Sequence, residues 1–222
     1  MKKRIIISVL LLIIICAVGI MSYSPLRNKI EQIFFATKVY NLLNSEEYMN
    51  LHQVITKDSV NSRTIMWQSL NDREDFILEY KQENEDEILQ AKPQKSVLDI
   101  DNKKIYIYAV TLENLKADMV YDYRLGFENN RSDWYKLKTA KENNNKFKTL
   151  IFPDSQSNDY TEWKSLAMNA WQNNQDSDFF INMGDLVDNG YDLVQWNGWF
   201  DGVEPMVNKL ASSYAKCVFR NV

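Results

Sequence analysis

Apolar residues change their spacing three times along this chain, and each change predicts a different kind of element. From Ile5 to Met21 the sequence is uncharged and nearly all apolar, behind Lys2, Lys3 and Arg4. About 17 residues, rising about 1.5 Å each as a helix, are near the minimum that crosses a hydrocarbon core. This predicts an N-terminal membrane helix, its length marked by Ile5, Leu10, Ile15 and Ile20. The basic flank stays inside, which places the rest of the chain outside the cytoplasm. The segment reads either as a retained cell-membrane anchor or as a signal peptide whose removal would release a secreted protein. Ala17-Val18-Gly19 would serve as a cleavage site, although the apolar run continues beyond it. Cys16 is a poor lipid-attachment site, because Ile15 stands where a small residue is wanted.

Between Asn28 and Leu43 the apolar positions Ile30, Ile33, Phe34, Val39, Leu42 and Leu43 recur at loosely helical spacing, predicting a short amphipathic helix. From Leu51 to about Thr139 the period falls to two. Arg63–Gln68, Phe76–Tyr80, Lys104–Val110, Val120–Leu125 and Trp134–Lys138 alternate as strands with one buried face do. Asn71-Asp72, Asp101-Asn102 and Glu128-Asn-Asn130 supply turns between them. About six or seven short strands in so short a stretch predict an antiparallel β-sandwich. Tyr121 and Tyr123 stand where such sandwiches place a tyrosine corner.

Lys141–Lys146 is polar and loop-like, and beyond it the pattern changes again. Phe147–Phe152 reads as a strand and Pro153–Ser157 as a loop. Asp159 would cap a helix in which Trp163, Leu166, Ala167, Ala170 and Trp171 share a face. Asp178–Met183 reads as a second strand, ending in the loop Gly184–Gly190. Two parallel strands joined by one crossover helix make a βαβ unit. The expected organisation is therefore a membrane segment (1–24), a helical linker (25–50), a sandwich (51–140), a linker (141–146) and an α/β portion (147–222).

Composition narrows the field. Across 222 residues, 45% are hydrophobic and 25% charged, the proportions of a globular chain. The net charge is −4 and there is no dense Lys/Arg patch, which argues against a nucleic-acid partner. Of the two cysteines, Cys16 lies inside the apolar run, so the fold is expected to hold without a bridge to Cys217.

Candidate chemistry sits at the ends of the two α/β strands. Asp154 follows the first and Asp185 the second, at the carboxyl edge where open α/β sheets bind ligands. On neighbouring strands their carboxylates would converge, as oxygen-seeking divalent metals require. Gly184 would let the backbone turn so that Asp185 points into the cleft. From spacing alone, ordinary turn residues explain the same pattern.

The surrounding residues add a resemblance. Gly184-Asp-Leu-Val-Asp-Asn-Gly190 after an apolar strand resembles the second signature of calcineurin-like metallophosphoesterases. Asp154-Ser-Gln156 resembles the first, with Gln156 in place of a histidine. Val110–Leu115, Val120–Gly126 and Trp134–Thr139 are similar to the fibronectin type III-like N-terminal domain of purple acid phosphatase-like proteins. The resemblance runs over roughly residues 50–205. It implies a phosphate-ester hydrolase with two metal ions (Fe, Mn or Zn) and a small phosphate-ester substrate, Asp154 ligating one ion and Asp185 bridging both. Asp188 stands where the purple enzymes carry their ligand tyrosine, so it is either a hydrogen-bond acceptor behind the metals or a loop carboxylate. Gln156 would be a weak oxygen ligand or a donor to phosphate, and Asn189 would serve either the loop or the site.

The resemblance also breaks off. A Gly-Asn-His signature should follow a third strand, for which Cys217–Phe219 is suitably placed, but Arg220-Asn221-Val222 stands there instead. The family's later histidine motifs have no counterpart, and His52, the one histidine, falls in the first sandwich strand. No catalytic set is complete, because the general-acid histidine is missing, and metal binding is expected to be weak at most. The expectation is a family member cut short and inactive. The alternative is a membrane-anchored sandwich acting as a binding module, with a vestigial phosphoesterase stub. Trp196, Trp199 and Phe200 read as a packing face.

Overall fold

The computed structural model describes residues 48–100, 103–143, 146–157, 160–207, 209 and 211–214, together with residue 29. The apolar run 5–21, Asp159, both cysteines and the strand expected at 217–219 lie outside the described residues, as does all but residue 29 of the segment 28–43. The chain divides into two units, residues 1–42 and 43–222. The strands and helices named below belong to the second.

A seven-stranded sheet runs in the order β10-β11-β12-β1-β2-β6-β5. Its members are β1 (Met49–Val54), β2 (Arg63–Ser69), β5 (Gln94–Ile100), β6 (Lys103–Leu112), β10 (Thr149–Phe152), β11 (Phe179–Asn182) and β12 (Ala211–Tyr214). A second sheet runs β4-β3-β7-β8, with β9 also paired to β7. It is built from β3 (Ile77–Gln82), β4 (Leu89–Ala91), β7 (Val120–Phe127), β8 (Asn130–Arg131) and β9 (Tyr135–Lys138). In this unit the described residues also form two helices, α1 (Tyr160–Gln172) and α2 (Leu193–Val207).

The period-two stretches became strands because one face of each is buried between the sheets. On β2, Arg63, Ile65, Trp67 and Ser69 are buried and the residues between them are not. On β7, Tyr121, Tyr123 and Leu125 do the same. Trp67 stacks on Tyr108 with ring centroids 5.6 Å apart, and Phe76 packs edge-on to both. Each large apolar side chain buried here contributes about 1.5–3 kcal/mol. Tyr121 forms the expected corner, its hydroxyl accepting the Lys116 N–H at 2.8 Å. β5 went unread because six of its seven residues are exposed, so it carries no alternation.

Side chains from the large sheet also close the gap between the layers. Gln53 Nε2 donates to the Lys136 carbonyl at 2.8 Å and Arg63 Nη2 to the Lys138 carbonyl at 2.9 Å, both on β9. Arg63 is 4% exposed, and burial lowers its guanidinium pKa to about 10.

β10, β11 and β12 are parallel, with rungs such as Phe152↔Asn182 and Phe179↔Ala211. β12 in turn pairs in parallel with β1, Gln53↔Ala211 and Val54↔Ser212. Phe152, Phe180 and Asn182 are buried on the helix side. Phe152 meets Trp163 of α1 edge-on at 5.2 Å, and Trp163 stacks on Trp199 of α2 at 5.9 Å. The helices approach closely because of Gly202, where a β-carbon would stand 2.5 Å from Trp163 Cδ1. Trp163 Nε1 donates to the Trp199 carbonyl at 3.0 Å, and Lys164 pairs with Asp201 at 2.8 Å. Asp192 caps α2, its Oδ1 accepting the Val194 N–H at 2.8 Å. Leu166, assigned to the inner face of α1, is 56% exposed, whereas Tyr160, Trp163, Ala167 and Trp171 are buried.

Two expectations are corrected. The residues after the linker do not form a metallophosphoesterase α/β domain of their own. Their three parallel strands join the sandwich's sheet through β1, giving a mostly β-sandwich fold with two helices. Periodicity identifies strands but not their partners, so it could not show this. The membrane expectation is not supported either: no helix among the described residues is long and apolar enough to cross a bilayer.

His52 sits where the two parts meet. It is 5% exposed on β1, its ring 5.3 Å from Phe200 of α2, and Nδ1–H donates to the Asn50 carbonyl at 2.6 Å. Asn50 has φ 55° at a β-bulge, and its Nδ2 reaches Gln68 on β2 and Asn197 on α2.

Gly202→Ala should destabilise the fold by about 1–3 kcal/mol in chemical denaturation, since Trp163 must move. Burial depresses the His52 pKa from 6.5 to about 4. The neutral ring is favoured in the folded state, so its contribution is complete above pH 6.5 and is lost as the pH falls toward about 4. The loss over that window is on the order of 3 kcal/mol. His52→Gln should remove that share of the slope, read as the difference between the two proteins' unfolding free energies across pH 4–7.

Candidate functional site

Phe152 and Asn182 are register partners, so Asp154 and Gly184 each lie two residues beyond the same rung. The loops that follow are joined by their backbones. Met183 N–H donates to the Phe152 carbonyl at 2.8 Å, and the Asp185 carbonyl accepts from Ser155 N–H at 3.1 Å and Gln156 N–H at 2.7 Å. A β-carbon on Gly184 would stand 3.4 Å from Asp154 Oδ1, so glycine leaves that side of the carboxylate open. Asp154 and Asp185 thus share one edge of the sheet, on adjacent parallel strands. Asp185 holds φ 33°, a left-handed conformation uncommon outside glycine.

The side chains of Asp154, Gln156, Asp185, Asp188 and Asn189 are all exposed. Among the described residues, neither Asp154 nor Asp185 has an ion pair or a hydrogen bond to its carboxylate. Asn189 is engaged in the loop: its Oδ1 accepts the Tyr191 N–H at 3.0 Å, and its N–H donates to Gln195 Oε1 at 2.9 Å. Below the loops Tyr160 donates to the Leu186 carbonyl at 3.4 Å, and burial raises its phenol pKa.

Trp199, from the packing face read in the sequence, and two residues given no role there, Ser155 and Asn182, support these loops from beneath. All three are buried, and Asn182 and Trp199 each donate a hydrogen bond to Ser155 Oγ. Asn182 ends an otherwise apolar strand, and that polar interruption was the available signal.

Whether this edge suits a metal depends on its donors. Among the described residues no three His, Cys, Asp or Glu side chains lie together in a metal-holding group. His52 is buried in β1 and committed to Asn50. The donors on this edge are two carboxylates, with the Gln156 amide on the Asp154 loop. They do not fit a dinuclear centre, whose two ions need a larger donor set. A strained Asp185 predicts that Asp185→Gly will be more stable than Asp185→Ala by about 1 kcal/mol, measured by thermal denaturation.

Comparisons place the fold. Residues 48–139 match the family described as "Purple acid Phosphatase, N-terminal domain". No curated protein matches the sequence. The purple acid phosphatase PPD1 from yellow lupin (Lupinus luteus) seeds superposes with a TM-score of 0.62 at 19% identity, over 76% of this chain and 34% of that one. PhoD superposes with a TM-score of 0.51 at 12% identity, over 80% of this chain and 40% of that one. The chain therefore spans well under half the length of either structure. Residues 48–139 are thus similar to a purple acid phosphatase N-terminal domain, and the fold as a whole is similar to parts of those two structures.

Proposed function

We propose that this protein belongs to phosphate-ester hydrolysis, and that its own contribution is to present Asp154 and Asp185 to a divalent cation beside a small phosphate ester. The supporting observation is the joined pair of loops, in which the Asp185 carbonyl accepts hydrogen bonds from the residues on either side of the Ser155–Gln156 peptide bond. That linkage keeps two exposed, unpaired carboxylates on one edge of the sheet. Like charges held together there favour a cation, and a cation favours a phosphate. One neighbour, the lupin protein, is a purple acid phosphatase by name, which supports a phosphate ester as the substrate class.

A bound cation would supply charge to the phosphoryl oxygens and lower the pKa of its water. The chain's own residues hold and orient. Asp154 and Asp185 would ligate, and the Gln156 amide would donate to a phosphate oxygen or lend its own oxygen. Asp188 would stay a solvated carboxylate at the rim. His52, the one histidine, is buried in β1 and is not the proton donor in this reading. Export from the cytoplasm, argued from Lys2, Lys3 and Arg4, is part of the same reading.

The purified chain should therefore bind Mn²⁺ weakly yet give no turnover of p-nitrophenyl phosphate with Mn²⁺, Fe or Zn²⁺. Asp154→Asn and Asp185→Asn should each abolish Mn²⁺ binding in calorimetry. Binding that survives both changes would remove the proposal. Turnover lost in Asp185→Asn would show instead that the chain carries a working site.

A further inference from the structure

Asparagine followed by glycine is a chemically labile pair, because glycine sets no β-carbon between its own nitrogen and the side-chain amide before it. The chain carries two such pairs, Asn189-Gly190 and Asn197-Gly198. The fold treats them in opposite ways.

Asn189-Gly190 lies in the loop between β11 and α2, with Asn189 exposed and Gly190 half-buried. Asn189 Oδ1 accepts the Tyr191 N–H at 3.0 Å, so the side chain folds forward over its own backbone. The ring closed by that bond contains both the side-chain carbonyl carbon and the Gly190 nitrogen. The same N–H polarises the carbonyl and would carry part of the charge that builds on its oxygen during attack. Among the described residues the Gly190 N–H makes no hydrogen bond. Only the Gly190 carbonyl is engaged, by Trp196 Nε1–H at 2.9 Å.

Asn197-Gly198 lies inside α2, where Gly198 is buried and its N–H belongs to the helical ladder. Asn197 Nδ2 donates to the Leu193 carbonyl at 2.8 Å, which turns the amide back along the helix and away from Gly198. Asn197 Oδ1 is held from the other side by Asn50 Nδ2 at 3.2 Å. Gly198 can attack only once the helix opens.

We propose that Asn189 is a site of spontaneous deamidation in the folded protein, and that α2 shields Asn197 from the same reaction. The Gly190 nitrogen gives its proton to hydroxide and bonds to the Asn189 side-chain carbonyl carbon. The bond from that carbon to Nδ2 breaks, and the departing nitrogen takes a proton from water, leaving as ammonia and restoring the hydroxide. Water then opens the resulting succinimide at either carbonyl, giving aspartate or isoaspartate at position 189. Nothing is oxidised or reduced; the net exchange is water for ammonia. Either product adds a negative charge to a loop that already holds Asp185, Asp188 and Asp192. Isoaspartate also reroutes the backbone through the side chain, dismantling the turn just ahead of the Asp192 cap.

The test holds the purified full chain in mildly alkaline buffer and follows each peptide by mass spectrometry, with isoaspartate labelled by an isoaspartyl methyltransferase. Position 189 should convert at least about tenfold faster than position 197, since the helix must open before Gly198 reacts. In denaturant the two positions should convert at similar rates, because glycine follows both. Gly190→Ala should slow position 189 several-fold through the β-carbon it adds. A folded chain in which position 189 converts no faster than position 197, or as fast in Gly190→Ala as in the unaltered chain, overturns the proposal. Conversion of position 197 in the folded chain at its denatured rate overturns the shielding by α2.

Discussion

The parallel pairing of β12 with β1 carries the architecture. β1 is antiparallel to β2 on one side and parallel to β12 on the other, so a single six-residue strand belongs to two kinds of sheet at once. Its faces divide the work. Leu51 and Gln53 turn toward the five-stranded layer, one into the sandwich core and the other to β9. His52 turns the other way and packs on Phe200. Without that strand, the three parallel strands and their helices would present an unpaired edge to water.

From β1 outward, order is passed on by close contacts rather than by long-range charge. The ion pairs are mostly at the surface, where each is worth little. The Trp163–Trp199 stack, the helix approach at Gly202 and the buried Ser155–Asn182–Trp199 bonds form one continuous path from α1 to the sheet edge. The edge therefore inherits its shape from a packed layer below it, while its own side chains stay solvated. At that edge Asp185, one of several non-glycine residues with a positive φ, holds it in a loop tied by backbone hydrogen bonds.

Much of this was legible in the sequence, and the failures have physical causes. Alternation revealed β2, β3, β6, β7 and β9 because each buries one face, and the sandwich part of the family resemblance rested on the last three of these. β5 was invisible because solvent reaches both its faces. The strand–loop pattern put Asp154 and Asp185 in loops after two strands that pair in parallel, as the crossover rule leads one to expect. The merging of the two parts into one sheet was not readable, since pairing partners leave no periodic trace. Nor was the support beneath the loops: Ser155 looks like any loop serine until Trp199, 44 residues later, is folded against it. Asn189, offered as either loop or site residue, turned out to be engaged in a turn.

The hydrogen bonds that Gln53 and Arg63 send across to β9 have a further consequence. A strand at the border of a sheet usually offers its carbonyls to any passing chain. Here two of them, at Lys136 and Lys138, are already claimed by the opposite layer. Growth by strand addition is thereby discouraged along that margin, whereas β5 ends the other sheet with six of its seven residues exposed.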